Sequence, residues 1–161
     1  MSSTIKNPGI PSSILIPEGM FPGRIVRVKG STPLAARRFG IDFQYNNDIA
    51  FHFNPRFTNG YIVRNHYISG LWGNEETSGG LPLTRGSSFE IVFVCHYNRF
   101  KVMLNGEHFT DFIHRVPYHR ITHITVGQDI IIDEIDFEGT PPPTDYLSEK
   151  TNDAEEVNGP Y

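Results

Sequence analysis

Hydrophobic and polar residues alternate in short runs through the middle of this chain. Alternation with a period of two predicts β-strands with one face in a core, because successive side chains on a strand point to opposite sides. No stretch has the spacing of an amphipathic helix. The predicted strands span residues 24–29, 39–45, 49–57, 61–69, 89–97, 100–104, 121–126 and 130–137.

Turn residues separate these runs. Asn105-Gly106 is the strongest hairpin signal, because both central residues of such a turn need a positive φ, which Asn and Gly adopt readily. Tight turns are also predicted at Asn98-Arg99 and over residues 46–48. Short connections join antiparallel strands, so the sequence predicts an all-β fold of two antiparallel sheets, a β-sandwich.

The two ends of the chain differ in composition from its body. Residues 1–13 are small, polar and interrupted by proline, which predicts a flexible N-terminal segment before a domain over residues 14–139. Residues 140–161 begin with a proline run and hold five acidic residues against one lysine, which predicts an acidic Pro-rich tail or linker. That tail carries the whole formal charge of −4. The neutral body therefore has no charge footprint for nucleic acid or an anionic membrane.

Composition and spacing also argue against several other functions. The single cysteine, Cys95, shares a strand face with apolar residues, which predicts a buried, unreactive thiol. The histidines lack the spacing of metal ligands, so we expect no metal or other cofactor. No apolar run is long enough for a membrane span or a secretory leader. Two carboxylates that could face each other are not apparent in the pattern, so we expect no enzymatic activity.

A row of polar side chains marks the run at 49–57. Its apolar face carries Phe51, Phe53 and Phe57. The other face carries His52, Asn54 and Arg56 at steps of about 7 Å along a pleated strand. A solvated strand face is the plain interpretation of such a row. Imidazole, amide and guanidinium groups together supply donors and acceptors, however, and hydroxyl groups of a ligand both donate and accept.

The following segment adds apolar and polar groups near that row. Val63 and Asn65 are predicted on one face of the run at 61–69, and Trp72 follows in a glycine-flanked turn that favours an exposed ring. An exposed indole beside polar groups suits a sugar, which has hydroxyls at its edge and a C–H face. Arg64 is predicted to point inward, where it needs a bulge, an edge position or a nearby carboxylate.

Together these residues resemble the carbohydrate-recognition signature of the galectins. The resemblance extends from residue 21 to about residue 138. It rests on His52-Phe53-Asn54-Pro55-Arg56, Val63 with Asn65, Trp72-Gly73-x-Glu75, Asn105-Gly106-x-His108, Phe112-x-His114-Arg115 and Gly127-x-Asp129-Ile130. It implies a jelly-roll sandwich of the galectin and legume-lectin type, with sheets of five and six strands and a sugar site on the concave sheet.

The resemblance also implies roles for the site residues. The residues that it assigns to the carbohydrate site are His52, Asn54, Arg56, Val63, Asn65, Trp72 and Glu75. The first three would bind the axial 4-hydroxyl of galactose. Asn65 and Glu75 would bind the 6-hydroxyl, and Glu75 with Arg56 would reach a second sugar. Trp72 would stack on the apolar face of galactose, with Val63 beside it.

The chain departs from the family pattern at Thr77, where an arginine usually stands two residues after the glutamate. A short uncharged hydroxyl cannot replace a guanidinium, so we expect altered preference for the second sugar. An extended site is predicted from Arg38, Gly40 and Asp42, which would border the groove beyond the galactose 3-position, together with Thr77. A solvated edge strand is the alternative interpretation of the run at 39–45.

The resemblance implies a lectin that binds β-galactosides, such as lactose and N-acetyllactosamine, without catalysis. The alternative is a galectin-like module that has lost sugar binding and serves as a protein-interaction or structural domain. Expected partners are galactoside-bearing glycans and glycoproteins, with no nucleic acid and no membrane insertion. Either a homodimer or a second linked lectin domain is expected, the latter if this is the N-terminal domain of a tandem-repeat galectin. The resemblance implies cytoplasmic and extracellular locations, reached by leaderless secretion.

Overall fold

The protein is a sandwich of two six-stranded antiparallel sheets in a computed structural model that describes residues 2–143. The back sheet has the strand order β1-β12-β3-β8-β9-β10, and the site sheet has the order β2-β11-β4-β5-β6-β7. The strands are β1 Ser3–Lys6, β2 Ser12–Leu15, β3 Ile25–Ser31, β4 Phe39–Tyr45, β5 Asp48–Arg56, β6 Tyr61–Ile68, β7 Leu71–Trp72, β8 Ser88–Cys95, β9 Arg99–Leu104, β10 Glu107–Ile113, β11 His123–Gln128 and β12 Ile131–Glu138.

The predicted β-sandwich is confirmed, with six strands in each sheet where the resemblance implied five and six. The only helical element of residues 2–143 is a 3₁₀ turn at Tyr118–Arg120, too short to cross a membrane. At the predicted hairpin between β9 and β10, Asn105 has φ 51° and Gly106 has φ 85°. Both values lie in the left-handed region that this turn requires.

Phenylalanine rings from both sheets fill the space between them. Phe51 of β5 stacks on Phe112 of β10 with 4.3 Å between ring centroids, and Phe43 of β4 meets Phe93 of β8 edge-on at 5.0 Å. These rings are fully buried. Because alternate residues of β5 enter this aromatic core, the residues between them are held on the opposite face of the site sheet.

The N-terminal segment is more ordered than the sequence suggested. Residues Ser3–Lys6 form β1, which pairs antiparallel with β12 at an edge of the back sheet, and Ser12–Leu15 pairs with β11. Ile5 packs against the core. Backbone pairing can order a short polar segment that has little hydrophobic alternation, which explains the difference. The predicted tail starts at residue 140, and its residues 144–161 lie outside those that the structure describes.

Arg64 points inward as predicted and is 1% exposed. The register shift of β5 on β6 lies between Ile49 and His52 and not at Arg64, so it does not accommodate this residue. Of the expected features a nearby carboxylate is present, because burial lowers the pKa of the guanidinium and the charge of Glu76 acts against this and raises it. Nη1 donates to the carbonyl oxygens of Ile62 and Ser78, each at 2.8 Å, and the group lies 5.1 Å from the centre of the Phe109 ring. Backbone oxygens and an aromatic face therefore compensate the buried charge.

Candidate functional site

The outer face of the site sheet carries a groove of about 480 Å³ that brings all seven predicted carbohydrate-site residues together. Strands β5, β6 and β7 and the segment that follows β7 supply them. Arg38 and Gln128 line the same groove. The lining residues are Arg38, His52, Asn54, Arg56, Val63, Asn65, Trp72, Glu75 and Gln128.

His52 is oriented by a carboxylate on the neighbouring strand. Asp42 of β4 is the cross-strand partner of His52, and its Oδ1 lies 2.6 Å from His52 Nδ1. A carboxylate accepts, so Nδ1 carries the proton and donates it to Asp42. In the neutral imidazole this leaves Nε2 as the ring's acceptor. Sequence reasoning placed Asp42 in the extended site and missed this contact, which depends on the strand register.

Asn54 and Arg56 are fixed by a chain of hydrogen bonds. Asn54 is 3% exposed, and its Nδ2 donates to the carbonyl oxygen of Phe39 at 2.7 Å. Its Oδ1 accepts from Arg56 Nε at 2.9 Å. Arg56 Nη2 also lies 3.8 Å from Glu75 Oε2. The guanidinium is therefore held between an amide and a carboxylate, and the row has a set arrangement of donors and acceptors.

Trp72 presents an exposed ring at the side of the groove. It is 53% exposed, as the glycine-flanked turn predicted. Its ring lies 4.7 Å from the His52 ring and 4.9 Å from the Tyr67 ring, and Tyr67 is its partner in the β6–β7 pairing. An indole in contact with two neighbouring rings is a rigid apolar platform, because these rings limit its two χ angles.

Asn65 lines the groove from β6 and is 2% exposed. Its Nδ2 donates to the carbonyl oxygen of Gly73 at 2.9 Å, and its Oδ1 accepts from the His66 backbone N–H at 2.8 Å. The same oxygen accepts from Arg115 Nη1 at 3.0 Å. Arg115 was part of the motif resemblance, but sequence reasoning gave it no role.

The two adjacent glutamates have different partners. Glu75 points to the groove and Arg56, whereas Glu76 accepts from Arg115 Nη2 at 2.8 Å. Thr77 is exposed and lies outside the lining of this groove. Arg56 is thus the only cation that the structure records within 4 Å of the Glu75 carboxylate among the described residues.

A second groove of about 570 Å³ adjoins the first and shares His52, Trp72 and Gln128 with it. Of the predicted extended site, Gly40 and Asp42 line this second groove, Arg38 lines the first, and Thr77 lines neither. Gly40 pairs with Gly127 across β4 and β11. Two paired glycines leave this part of the floor without side chains, so it is open to a bulky ligand.

The groups in the grooves suit binding better than bond cleavage. The Asp42 carboxylate is engaged by His52, and Glu75 faces Arg56. Within residues 2–143, no group of three or more His, Cys, Asp or Glu side chains could hold a metal ion. Cys95 is fully buried, and burial raises the pKa of its thiol well above the usual value, as expected for an unreactive core residue.

The sequence of this chain is similar to those of known lectins. The model of the family "Galactoside-binding lectin" matches residues 11–137. Galectin-4 of Bos taurus is 37% identical over 147 residues, which cover 88% of this chain and 44% of that protein. Galectin-7 of Homo sapiens is 33% identical over 130 residues, covering 78% of this chain and 96% of that protein. The chain therefore spans less than half the length of some relatives and nearly the whole of others.

Solved galectin structures share the fold. The galectin LEC-6 of Caenorhabditis elegans superposes with a TM-score of 0.79 at 27% identity, covering 84% of this chain and 95% of that chain. A human galectin-16 variant superposes with a TM-score of 0.76 at 25% identity, covering 84% of this chain and all of that one. The family match over residues 11–137 includes all the strands that carry the grooves.

Proposed function

The chain belongs to the galectin family of galactoside-binding lectins, and on that premise we propose that it binds lactose-type β-galactosides in the groove of the site sheet, without catalysis. One observation carries the proposal. The fixed donors and acceptors of His52, Asn54 and Arg56 lie beside an exposed indole in a single groove. A galactose ring offers hydroxyls to the former and a C–H face to the latter.

The row supports selection for the axial 4-hydroxyl of galactose. His52 Nε2 is available as an acceptor, and Arg56 retains N–H donors beyond the one that it gives to Asn54. A hydroxyl that donates to one and accepts from the other satisfies both. An equatorial 4-hydroxyl, as in glucose, points away from such a row and leaves these partly buried groups without a partner on the sugar, which costs affinity.

Other groups in the groove could contact the galactose 6-hydroxyl and the second sugar of a disaccharide. Asn65 and Glu75 are assigned to the 6-hydroxyl, and Glu75 with Arg56 to the second sugar. The second groove, with its glycine floor, is assigned to substituents beyond the galactose 3-position. The alternative, a module without sugar binding, is supported by Thr77 alone. Thr77 lies outside the groove, and the primary contacts do not pass through it.

Competition on immobilised lactose tests the proposal. The folded protein should be retained on the column and released by free lactose, and free galactose should compete better than glucose. A shallow open site predicts binding of roughly −4 to −6 kcal/mol, which is millimolar to tens-of-micromolar affinity. No retention of a folded protein would favour the alternative, and equal competition by the two monosaccharides would contradict the role of the His52 row.

Binding this weak requires more than one site per particle for cross-linking of glycans, because avidity multiplies a weak contact. A homodimer or a second linked domain would provide the two sites. Light scattering combined with cell agglutination distinguishes the cases. A strictly monomeric 161-residue chain that agglutinates cells would contradict this requirement.

A further inference from the structure

Arg115 connects the β10 edge of the back sheet to strand β6 of the site sheet. It lies two residues after β10 ends at Ile113, and its guanidinium reaches Asn65 on β6. This inference rests on the proposed function. We propose that Arg115 is a positioning residue that holds the Asn65 amide so that its N–H group, and not its carbonyl oxygen, meets the galactose 6-hydroxyl.

The partners of Asn65 allow only one orientation of its amide. Oδ1 meets two groups that can only donate, the His66 backbone N–H at 2.8 Å and the Arg115 guanidinium at 3.0 Å. Nδ2 meets a group that can only accept, the Gly73 carbonyl at 2.9 Å. A flipped amide would place donors against donors. One hydrogen of Nδ2 therefore remains for a ligand, and because Asn65 is nearly fully buried, the groove is where it can be used.

Arg115 is itself held on several sides. Nη2 donates to Glu76 Oε2 at 2.8 Å, and the guanidinium lies 4.8 Å from the centre of the Phe112 ring. Its side chain is 22% exposed. A planar guanidinium fixed by a carboxylate and an aromatic face loses little additional freedom when it makes a further bond. The Asn65 carbonyl therefore meets a donor whose position is already set.

A second connection passes through His66. Arg115 Nη1 lies 3.0 Å from His66 Nδ1, which must accept because the guanidinium only donates. Burial and the neighbouring Arg115 charge both lower the pKa of His66. The His66 ring packs against Gly73 so closely that a Cβ there would fall 2.0 Å from Cε1. Arg115 therefore supports both Asn65 and the residue whose carbonyl Asn65 contacts.

The test compares lactose with 6′-deoxylactose, which lacks the galactose 6-hydroxyl, on the whole chain. Arg115→Met keeps the length of the side chain and removes its donors. We expect Arg115→Met to bind lactose about tenfold more weakly than the wild type does, the effect of about one hydrogen bond. Binding of 6′-deoxylactose should change less than twofold. Arg115→Lys, which retains one donor, should recover part of the lactose affinity, and Arg120→Met serves as the control because Arg120 is exposed.

Each outcome of this experiment either supports or overturns the positioning role of Arg115. Equal losses for both sugars in folded Arg115→Met, or no loss at all, would overturn the positioning role. If Arg115→Met does not fold, Glu76→Gln replaces it, because this change weakens the anchor of Arg115 and leaves Arg115 in place. A loss confined to lactose supports the proposal, and an equal or absent effect overturns it. Failure of the wild type to bind either sugar would count against the proposed function, which is a separate result.

Discussion

The carboxylate of Asp42 lies 2.6 Å from Nδ1 of His52, its cross-strand partner. This pair links the two grooves, because His52 lines both and Asp42 lines the second. The contact also determines which ring nitrogen carries the proton. A ligand hydroxyl that approaches His52 from the main groove therefore meets an acceptor, and on the proposed function Asp42 would influence galactose binding through the imidazole.

Replacing Asp42 with asparagine tests this arrangement. An amide can also donate to Nδ1, so Asp42→Asn admits the tautomer in which Nε2 carries the proton and can no longer accept. We expect a loss of about 1 to 2 kcal/mol in lactose binding, measured by calorimetry, with little change in unfolding temperature. Asp133→Asn, at an exposed position of β12, is the matched control. Unchanged lactose affinity in Asp42→Asn would show that the tautomer of His52 is not fixed by Asp42.

Trp72 should be the apolar anchor of the site. Its ring is half exposed yet supported by His52 and Tyr67, so Trp72→Ala removes a preformed platform. Anchors of this kind often contribute about 2 kcal/mol or more, which would move lactose binding below detection while the fold persists. The neighbouring Leu71→Ala, also exposed, should bind lactose normally. Because Trp72 is the only tryptophan, its fluorescence should also respond to lactose in the wild type.

The face of the sheet on which each side chain of a strand lies could be predicted from the sequence, since side chains alternate between the two faces with a period of two residues. The predicted strand at 39–45 has the bounds of β4, and the row of His52, Asn54 and Arg56 lines one groove as expected. Trp72 is exposed as its flanking glycines indicated. These features depend on local alternation and turn chemistry, which a single sequence contains.

Contacts between strands could not be predicted in the same way. Asp42 meets His52 because of the register of β4 on β5, and Arg115 meets Asn65 across the edge of the sandwich, 50 residues along the chain. The alternation of apolar and polar residues along a strand predicts neither of these two contacts. The strand β1 was missed because backbone pairing with β12, and not its own pattern, orders it. In each of these three cases the missed contact is between residues that are distant in sequence and become neighbours only when the chain folds.

Acid should destabilise the domain through His114, which is partly buried. Burial lowers the pKa of His114, an effect that the nearby Arg99 charge reinforces and that the hydrogen bond to the His96 carbonyl only partly offsets. The folded state therefore resists protonation of His114. Stability should be fully present above about pH 6.5, the ordinary histidine pKa, and should fall as the pH falls toward the lower pKa of the folded state.

Urea unfolding between pH 7.5 and pH 5 measures this dependence. The contribution of His114 has a slope of at most about 1.4 kcal/mol per pH unit. His114→Gln keeps a donor for the His96 carbonyl but cannot titrate, so its free energy of unfolding should fall less steeply with acid. His119→Gln, at an exposed position, should follow the wild type. Parallel curves for His114→Gln and the wild type would place the acid sensitivity elsewhere.

Substitution of Thr77 tests whether the galactose and the second sugar of a disaccharide are recognised by separate residues of the groove. Glu75 is 47% exposed and has Arg56 at 3.8 Å, whereas Thr77 supplies no charge and lies outside the groove. We therefore expect lactose and N-acetyllactosamine to bind with similar affinity, both only modestly better than galactose. Thr77→Arg should add a charge-assisted contact to Glu75 and the second sugar, which strengthens both disaccharides by about 1 to 2 kcal/mol.

Free galactose should bind Thr77→Arg as it binds the wild type, because its contacts with His52, Asn54 and Trp72 do not involve residue 77. Calorimetry of both proteins with the three sugars makes the comparison, and Thr77→Gln controls for side-chain length without charge. A gain for the disaccharides alone, absent in the glutamine variant, assigns the effect to the charge at the second sugar. An equal gain for free galactose would mean that residue 77 acts on the primary site, and the two sugars would then not be recognised independently.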